Sequence, residues 1–458
     1  MKRVYRYFLY ALPVALIFSY FPVISLGSNE TMNFELSLTL IWLVLFDLFA
    51  LVMIVRKYRA QIFSKVFGSI LWWLFPLFVT FSVLWSLNVT RGLLTVGLMW
   101  AIFFAVIAFF ELRENLDKSF WKVFWRWFFG SALFVCAWCL VQCILDVSGC
   151  SQDVSLLCDG CVYQMFGFPH PNGFAIEPQF MGNLLLAPTF VSLYFYVKNK
   201  DKKYLLLFFT FAAALFLTFS RGAIYACVVG LLFMFGFYMA KAKKKERKNL
   251  VKSALKTLGV FVASFVFVLN LQGIFSAVAP TSDTYGDGVA KVINHLSLGV
   301  IDVRSQNNNW NETVPDGEPS NAAAQPVFDG YVAESTDTRV RLATAAFEIW
   351  KMDFKTMMVG VGIGGAGQAL YNYGYSPAPK EIVQNEFASL FLEVGLVGVL
   401  LFALIVALAA WMVLKRAEAP GLVLALMVAY AVTLLFFSGF PNAIHIILLP
   451  PLLALLTL

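Results

Sequence analysis

The sequence is poor in charge, because Asp, Glu, Lys and Arg make up 13% of its 458 residues, and it holds only three His. A soluble globular chain carries about 25% charged residues, so this scarcity excludes a soluble globular protein. Segments of about ten residues with alternating apolar and polar positions are also lacking, which excludes an outer-membrane barrel. No A-x-A cleavage site follows the first apolar stretch, where Ser28, Asn29 and Glu30 stand instead. We therefore expect no cleaved signal peptide.

Apolar residues are abundant, at 60%, with 47 Phe and 12 Trp and a mean hydropathy of +0.76. Apolar windows of about twenty residues, the length of a membrane-spanning helix, recur along the chain. Helices satisfy their backbone hydrogen bonds internally, as a lipid environment requires. We predict an all-α polytopic membrane protein with about twelve transmembrane helices, near residues 7–26, 36–55, 65–85, 92–110, 122–145, 174–197, 204–219, 222–240, 253–275, 387–414, 421–437 and 443–457.

Lys and Arg are concentrated in every second segment between the predicted spans. These segments, counted from the N-terminus, hold 25 of the 34 Lys and Arg, including the run KAKKKERK at 241–248. Because basic residues are retained on the cytoplasmic side, we expect both termini in the cytoplasm. The chain then divides into spans one to nine at 1–275, a large extracytoplasmic loop at 276–386, and spans ten to twelve at 387–458. Each basic run flanks a span, so it indicates orientation rather than nucleic-acid binding.

The seven cysteines fall into two groups. Four lie within predicted spans, whereas Cys150, Cys158 and Cys161 lie in the outside loop at 146–173. An extracytoplasmic location permits one disulfide among these three. The sequence leaves open which pair forms and whether all three stay free thiols.

The large loop contains two kinds of sequence. Its first part is rich in Asn, Asp, Ser, Gly and Pro and is typical of irregular structure. Residues 336–354 instead predict an amphipathic helix, whose apolar face would comprise Val340, Ala343 or Thr344, Phe347, and Trp350 or Lys351. The following run VGVGIGGAG at 359–367 lacks the preceding strand of a phosphate-binding loop. We interpret its glycines as a tight turn where the chain returns to the membrane surface.

Ionisable residues at the outer ends of spans are costly unless they are paired or used, so each is a candidate functional residue. Arg221, in FSRG, lies between two spans with almost no loop, and Arg91, in VTRG, lies at an ordinary loop edge. Arg339 and Arg341 lie two apart in the predicted amphipathic helix, so they cannot both point at the same place. Arginine binds phosphate or pyrophosphate bidentately and keeps its charge at any pH.

Further polar groups precede two of the spans. They are His170, Asn172 and Glu177 in FGFPHPNGFAIEP at 166–178, and Gln384, Asn385 and Glu386 at the start of the tenth span. A carboxylate or His near the arginines would serve as a base. Together these residues predict a site for a lipid-linked phosphate donor, with no metal and no soluble cofactor.

In this order and spacing, GFPHPNGFAIEP at 167–178, FSRGA at 219–223, TRVRLATAAFEIWK, VGVGIGGAG and QNEFASLFLEVGLVG resemble the O-antigen polymerase and O-antigen ligase superfamily. These are membrane glycosyltransferases of the GT-C type, and the resemblance extends from about residue 160 to 402. It implies an inverting, metal-independent glycosyl transfer at the periplasmic face of the bacterial inner membrane. The donor would be a glycan on undecaprenyl pyrophosphate. The acceptor would be a lipid-linked repeat unit for a polymerase or lipid A core for a ligase, and a chain-length regulator is a possible partner.

The resemblance also implies roles for the candidate residues. Arg221 matches the family's SRG arginine, expected to hold the pyrophosphate, and Arg339 or Arg341 matches the arginine that opens the late-loop helix. Family ligases carry a His directly before the Asn at the mouth of the next span, and here that residue is Gln384. Because Gln cannot take a proton, this departure favours a polymerase. The base would be Glu386, Glu177 or His170, while Arg91 would add to the pyrophosphate site and Asn172, Gln384 and Asn385 would position substrate.

A flippase or transporter of lipid-linked glycans is the alternative from another class, since twelve spans are common among transporters. Transporters bind their substrates near the bilayer midplane on broken helices of repeated halves. Here Asp47 is the only acidic residue plainly in the middle of a span, and the two halves share no matched repeat. The sequence therefore favours the glycosyltransferase.

Overall fold

The computed structural model describes residues 1–20, 23–29, 32–58, 69–148, 163–165, 168–278, 285–298, 300–301, 331–438 and 443–455. Within these ranges the chain forms sixteen α-helices and two small antiparallel sheets. The helices are α1 (Lys2–Ile17), α2 (Leu38–Tyr58), α3 (Leu74–Ser82), α4 (Val89–Glu111), α5 (Lys118–Val147), α6 (Pro178–Asn199), α7 (Lys202–Leu217), α8 (Arg221–Lys241), α9 (Lys244–Val278), α10 (Tyr285–Leu296), α11 (Tyr331–Lys351), α12 (Phe354–Val359), α13 (Ala366–Asn372), α14 (Glu386–Arg416), α15 (Pro420–Thr433) and α16 (Ile444–Ala454). Strand β1 (Val23–Asn29) pairs with β2 (Met32–Ser37), and β3 (Tyr163–Met165) pairs with β4 (Phe168–His170).

Each of the twelve predicted spans overlaps a helix, which confirms the all-α polytopic fold. Seven helices among the described residues are long and apolar enough to cross a membrane, namely α2, α4, α5, α6, α8, α9 and α14. The segment Leu74–Trp85 and helices α15 and α16 are shorter apolar elements, and α1 and α7 have 16 residues each. Two predicted spans differ most. In the span at 7–26, α1 ends at Ile17 and the residues from Val23 onward form β1 instead of helix, because they pair with β2. In the span at 65–85, the helix begins only at Leu74, and residues 59–68 lie outside the described ranges.

The chain folds into two compact units. The first contains Met1–Ser131, Ala226–Ala242 and Arg339–Leu458, and the second contains Ala132–Tyr225 and Lys243–Thr338. Three of the four boundaries fall inside α5, α8 and α11, so each of these helices contributes to both units, and the fourth falls between α8 and α9. The sequence-based division at residues 275 and 386 follows membrane topology and stays a prediction.

The first unit anchors its N-terminal helix through polar contacts at one end. Arg6 forms an ion pair with Asp117, and Lys57 pairs with Glu114 at 3.2 Å. Hydrogen bonds from Ser119 and from Arg6 hold the pKa of the Asp117 carboxyl well below its usual range. These contacts join α1 and α2 to the connection between α4 and α5, on the face that the basic residues predict to be cytoplasmic.

The second unit is built around α6, which is 83% buried over its most apolar window, whereas the other candidate spans range from 17% to 44%. Helices α7 and α9 pack against it and against each other. Cys136, Cys139 and Cys143 on α5 are buried free thiols, as their span positions predict, and so is Cys227 on α8, which belongs to the first unit. The three loop cysteines, for which the sequence left one disulfide or three free thiols open, lie outside the described residues.

The predicted amphipathic helix is α11, although its buried face is rotated from the predicted one. Leu342, Ala345, Ala346 and Ile349 are buried, whereas Val340 is 59% exposed. The buried residues pack against side chains of α13 and α14. Ala343 and Phe347 of the predicted face are half-buried against the same cluster, so the prediction was wrong for Val340 but not for these two. Helical spacing alone allows neighbouring stripes, and contacts with two other helices select one of them.

Candidate active site

The glycine run 359–367 forms a tight loop that packs on backbone from two other segments. Gly360, Gly362 and Gly364 have φ angles of +72°, +88° and +78°, a conformation that side chains disfavour. A Cβ on Gly362 would lie 2.3 Å from the Cα of Ser86, and one on Gly360 would lie 2.3 Å from the carbonyl oxygen of Glu393. The glycines are therefore needed for both the turn and the close approach, which supports the tight-turn interpretation of the sequence.

The carboxylate of Glu393, on α14, is hydrogen-bonded to the backbone of this loop. Its Oε1 accepts a hydrogen bond from the Ala366 N–H at 3.2 Å, and the Gly364 N–H also donates to the side chain. Arg91 interacts electrostatically with the same carboxylate, and its Nη1 would lie 3.3 Å from a Cβ on Gly367. The structure thus engages Arg91 with an acidic partner and the glycine loop.

Glu393 was not among the residues predicted from the sequence, although one signal was present. It is an acidic residue inside a long apolar helix, two turns after Glu386, and such residues are costly unless they are paired. Its partner stands about 300 residues earlier in the chain, so local sequence could not supply it.

The start of α14 is fixed by its capping residue. Asn385 Oδ1 accepts the Ala388 N–H at 3.0 Å, and Asn385 Nδ2 donates to the Leu435 carbonyl at 3.0 Å. The Glu386 N–H donates to the Leu434 carbonyl at 2.9 Å. Asn385 therefore serves as an N-cap and sets the positions of the residues on either side of it.

The structure distinguishes the two arginines of α11. Arg339 is half-buried, and its Nε donates to Gln384 Oε1 at 3.3 Å. Arg341 is exposed, and its Nη1 donates to the Tyr375 carbonyl at 3.3 Å. Arg339 is thus the arginine that reaches the start of α14. Gln384 itself has a φ of +58°, a left-handed conformation uncommon for a residue with a side chain.

An apolar cavity of about 360 Å³ lies beside Glu386. Helices α3, α4, α14, α15 and α16 all contribute to its walls. The lining positions on α14 extend from Glu386 to Val413, across a kink at Gly395, whose φ is +62°. Among the described residues that line this cavity, Glu386 is the one charged side chain, and it is 4% exposed.

In the second unit, the sequence FSRG forms the turn that joins α7 to α8. Phe219 has a φ of +45°, and the Ser220 hydroxyl accepts the Ala223 N–H at 3.4 Å. Arg221 is the first residue of α8 and is 5% exposed. The predicted pyrophosphate-binding arginine is thus a buried group at a helix N-terminus, where the backbone dipole also favours an anion.

Two histidines form hydrogen bonds with consecutive backbone carbonyls of this turn. His170 Nε2 bonds to the Thr218 carbonyl, and His295 Nε2 lies 3.2 Å from the Phe219 carbonyl. Because a carbonyl only accepts, Nε2 must carry the proton in both rings. Burial lowers the pKa of His170 to about 4, so this ring is neutral at pH 7. The sequence analysis missed His295, and the scarcity of His in the chain was the available signal.

Of the other two candidate residues in the 166–178 segment, one lies in the interior and one at the surface. Asn172 is fully buried, and its Oδ1 accepts from Gln142 Nε2 at 3.0 Å. Gln142 also exchanges hydrogen bonds of 3.1 and 2.8 Å with the backbone of Gly173. Glu177 is exposed and precedes α6 without a side-chain cap. The segment therefore brings His170 to the Arg221 turn, fixes Asn172 in the interior and leaves Glu177 at the surface.

Comparison with known proteins identifies the region that contains most of these elements. Residues 206–403 match the family model described as O-antigen ligase, and a search of curated proteins finds no match. The matched stretch includes the FSRG turn, α11, the glycine loop and the start of α14. The family implies, in general, a multi-pass membrane enzyme of the glycosyltransferase type. This match over residues 206–403 confirms the resemblance to the O-antigen ligase and polymerase superfamily.

Proposed function

We propose that this protein is a surface-polysaccharide polymerase that transfers a glycan from undecaprenyl pyrophosphate to the end of another lipid-linked repeat unit. The observation that carries the proposal is the arrangement at the start of α14. There Arg339 contacts Gln384, and Glu386 lines an apolar cavity. A cation, an amide and a carboxylate are thus grouped within a few residues of a space suited to hydrocarbon.

The apolar cavity supports a donor with a long prenyl chain. Its lining is apolar apart from Glu386 within the described part of the chain, and it extends along α14 from Glu386 to Val413. A pyrophosphate at the Glu386 end would meet Arg339. The guanidinium would neutralise the leaving group through charge-assisted hydrogen bonds.

In the proposed reaction, the acceptor hydroxyl gives its proton to Glu386 and its oxygen attacks the anomeric carbon. The bond from that carbon to the phosphate oxygen breaks, and the electron pair leaves with undecaprenyl pyrophosphate. Attack opposite the leaving group inverts the anomeric configuration. Positioning of the reactants and stabilisation of the departing charge supply the rate enhancement.

Gln384 favours a polymerase over a ligase. It offers an amide that donates and accepts hydrogen bonds but takes no proton at neutral pH, so it suits the positioning of a sugar acceptor. Asn385 supports it as the helix cap. The second candidate, a ligase acting on lipid A core, draws support from the description of the matching family model.

The remaining sequence-based candidates keep secondary places in the proposal. Arg221, in the second unit, is proposed to bind phosphate. Arg91 is proposed to stabilise the glycine loop through Glu393 and to bind the anionic substrate. His170 and Asn172 are proposed to position their segments, since both are buried and hydrogen-bonded. Glu177 stays the alternative base. The reaction is proposed to take place at the periplasmic face of a bacterial inner membrane, with both termini in the cytoplasm.

The test is an assay of the purified protein with an undecaprenyl-pyrophosphate-linked repeat unit, without nucleotide sugar or ATP and with EDTA present. We expect a ladder of longer lipid-linked glycans from wild type and its loss in Glu386→Gln, which removes the base and keeps the side-chain shape. Glu381→Gln is the matched control, because Glu381 lies outside the α14 cluster, and it should retain the ladder.

Two outcomes contradict the proposal. If product forms only when lipid A core is added, the enzyme is a ligase. If Glu386→Gln polymerises as fast as wild type, Glu386 is not the base, and Glu177→Gln becomes the variant to assay.

A further inference from the structure

A second pocket lies at the opposite end of α4 and α14 from the candidate active site. Its volume is about 280 Å³, and its polar lining consists of Arg113, Arg416 and Glu418. We propose that this pocket binds the phosphate headgroup of an anionic phospholipid from the cytoplasmic leaflet. The inference is independent of the proposed glycosyl transfer.

The course of the two helices places the pocket. Helix α4 begins two residues before Arg91 and ends just before Arg113, and α14 begins at Glu386 and ends at Arg416. Both helices therefore run from the candidate active site to this pocket. Its arginines belong to segments that the distribution of Lys and Arg predicts to be cytoplasmic.

The charge of the pocket suits a phosphodiester. Arg113 and Arg416 are exposed, and no ion pair within 4 Å engages either of them among the described residues. Guanidinium groups bind phosphate oxygens bidentately. With Glu418, the two arginines leave the pocket with one net positive charge, which favours an anionic headgroup.

The apolar walls favour a lipid over a free anion. Phe110, Met412 and Ala454 line both this pocket and the apolar cavity. A phospholipid whose phosphate binds the arginines can thus extend its acyl chains along an apolar surface without crossing a polar barrier. Basic pockets between transmembrane helices on the cytoplasmic side are known to take anionic lipid headgroups.

The test is lipid binding to the full-length protein, measured by native mass spectrometry with phosphatidylglycerol and phosphatidylcholine of identical acyl chains. We expect wild type to prefer phosphatidylglycerol. Each of Arg113→Gln and Arg416→Gln should weaken that binding about fivefold, and the double variant on the order of 30-fold. Glu418→Gln, which removes the negative charge, should strengthen it.

Lys415→Gln is the matched control, because it removes a positive charge next to Arg416 from a side chain outside the pocket lining. It should change binding by less than about twofold, as expected for a screened surface charge. If the double Gln variant does not fold, Arg113→Lys with Arg416→Lys keeps both charges, and it should bind phosphatidylglycerol more weakly than wild type because the bidentate geometry is lost.

Equal binding of the two lipids by wild type would overturn the proposal, as would full binding by the folded Gln double variant. A final measurement adds soluble glycerol phosphate as a competitor. At concentrations at which phosphatidylglycerol binds, we expect glycerol phosphate not to displace it. Competition by glycerol phosphate at matched concentration would identify a site for free phosphate rather than lipid. None of these readouts needs a glycan donor, so failure of the transferase assay leaves them unaffected.

Discussion

Replacement of Gly362 by Ala tests whether the glycine loop is held by close backbone packing. Gly362 has a φ of +88°, and a Cβ there would lie 2.3 Å from the Cα and 2.6 Å from the N of Ser86. These are backbone atoms, so no side-chain rotation relieves the contact. The loop or the chain at Ser86 must move, and a shift of the loop would disturb the hydrogen bonds that the Ala366 and Gly364 N–H groups donate to Glu393.

The magnitude follows from two contributions. A left-handed backbone costs a residue with a Cβ about 1–2 kcal/mol, and overpacking typically costs about 1–3 kcal/mol. We therefore expect Gly362→Ala to lower the free energy of unfolding by about 2–5 kcal/mol. Gly374 has a φ of +76° but no atom within 4 Å of its Cβ position, so Gly374→Ala should show only the backbone cost.

Gly97 completes the series as a helical control. It lies within α4, and nothing stands within 4 Å of its Cβ position. Ala at this site gains helix propensity, worth up to about 1 kcal/mol. Thermal unfolding of the three variants in identical nanodiscs should rank the midpoints as Gly97→Ala at or above wild type, then Gly374→Ala, then Gly362→Ala. The rank is the readout, because a chain of two units need not unfold in a single step.

Coincident midpoints for Gly362→Ala and Gly374→Ala would refute the reasoning, since the added contact with Ser86 would then carry no cost. A Gly97→Ala variant as unstable as Gly362→Ala would refute it as well. In that case any added methyl group would destabilise this unit.

Three further predictions concern charged and titratable side chains. Glu393→Gln should lower unfolding stability by about 1–3 kcal/mol, because it weakens hydrogen-bonded contacts of a carboxylate, and an unchanged thermal midpoint would contradict this. Arg339→Gln should weaken binding of the lipid-linked donor by about tenfold or more, whereas Arg341→Gln should change it less than about twofold, and equal losses in a binding assay would argue against the assigned arginine. In the folded protein His170 has a pKa of about 4, below the roughly 6.5 of an exposed imidazole. The unfolded chain therefore binds a proton first, and stability present above pH 6.5 should be lost as the pH falls toward 4. His170→Gln should reduce that dependence in thermal unfolding measured across pH, and identical slopes would count against the buried ring as its source.

The sequence by itself determined the features that depend on local composition and spacing. Apolar windows of about twenty residues predicted the spans because burial in lipid acts on each segment separately. Helical spacing at 336–354 predicted α11, and the glycine run predicted a tight turn because positive φ angles favour glycine. The order of short motifs was sufficient for the superfamily resemblance.

Only the tertiary structure decided which side chains meet. Spacing could not choose between Arg339 and Arg341, since both lie on one helix and the choice depends on where α14 begins. The partner of Arg91 is Glu393, and the turn before Arg221 is held by His295, which no local pattern connects to it. The apolar face of α11 was also set by its neighbours. Such contacts join positions far apart in the chain, so their energies arise only after the helices have packed.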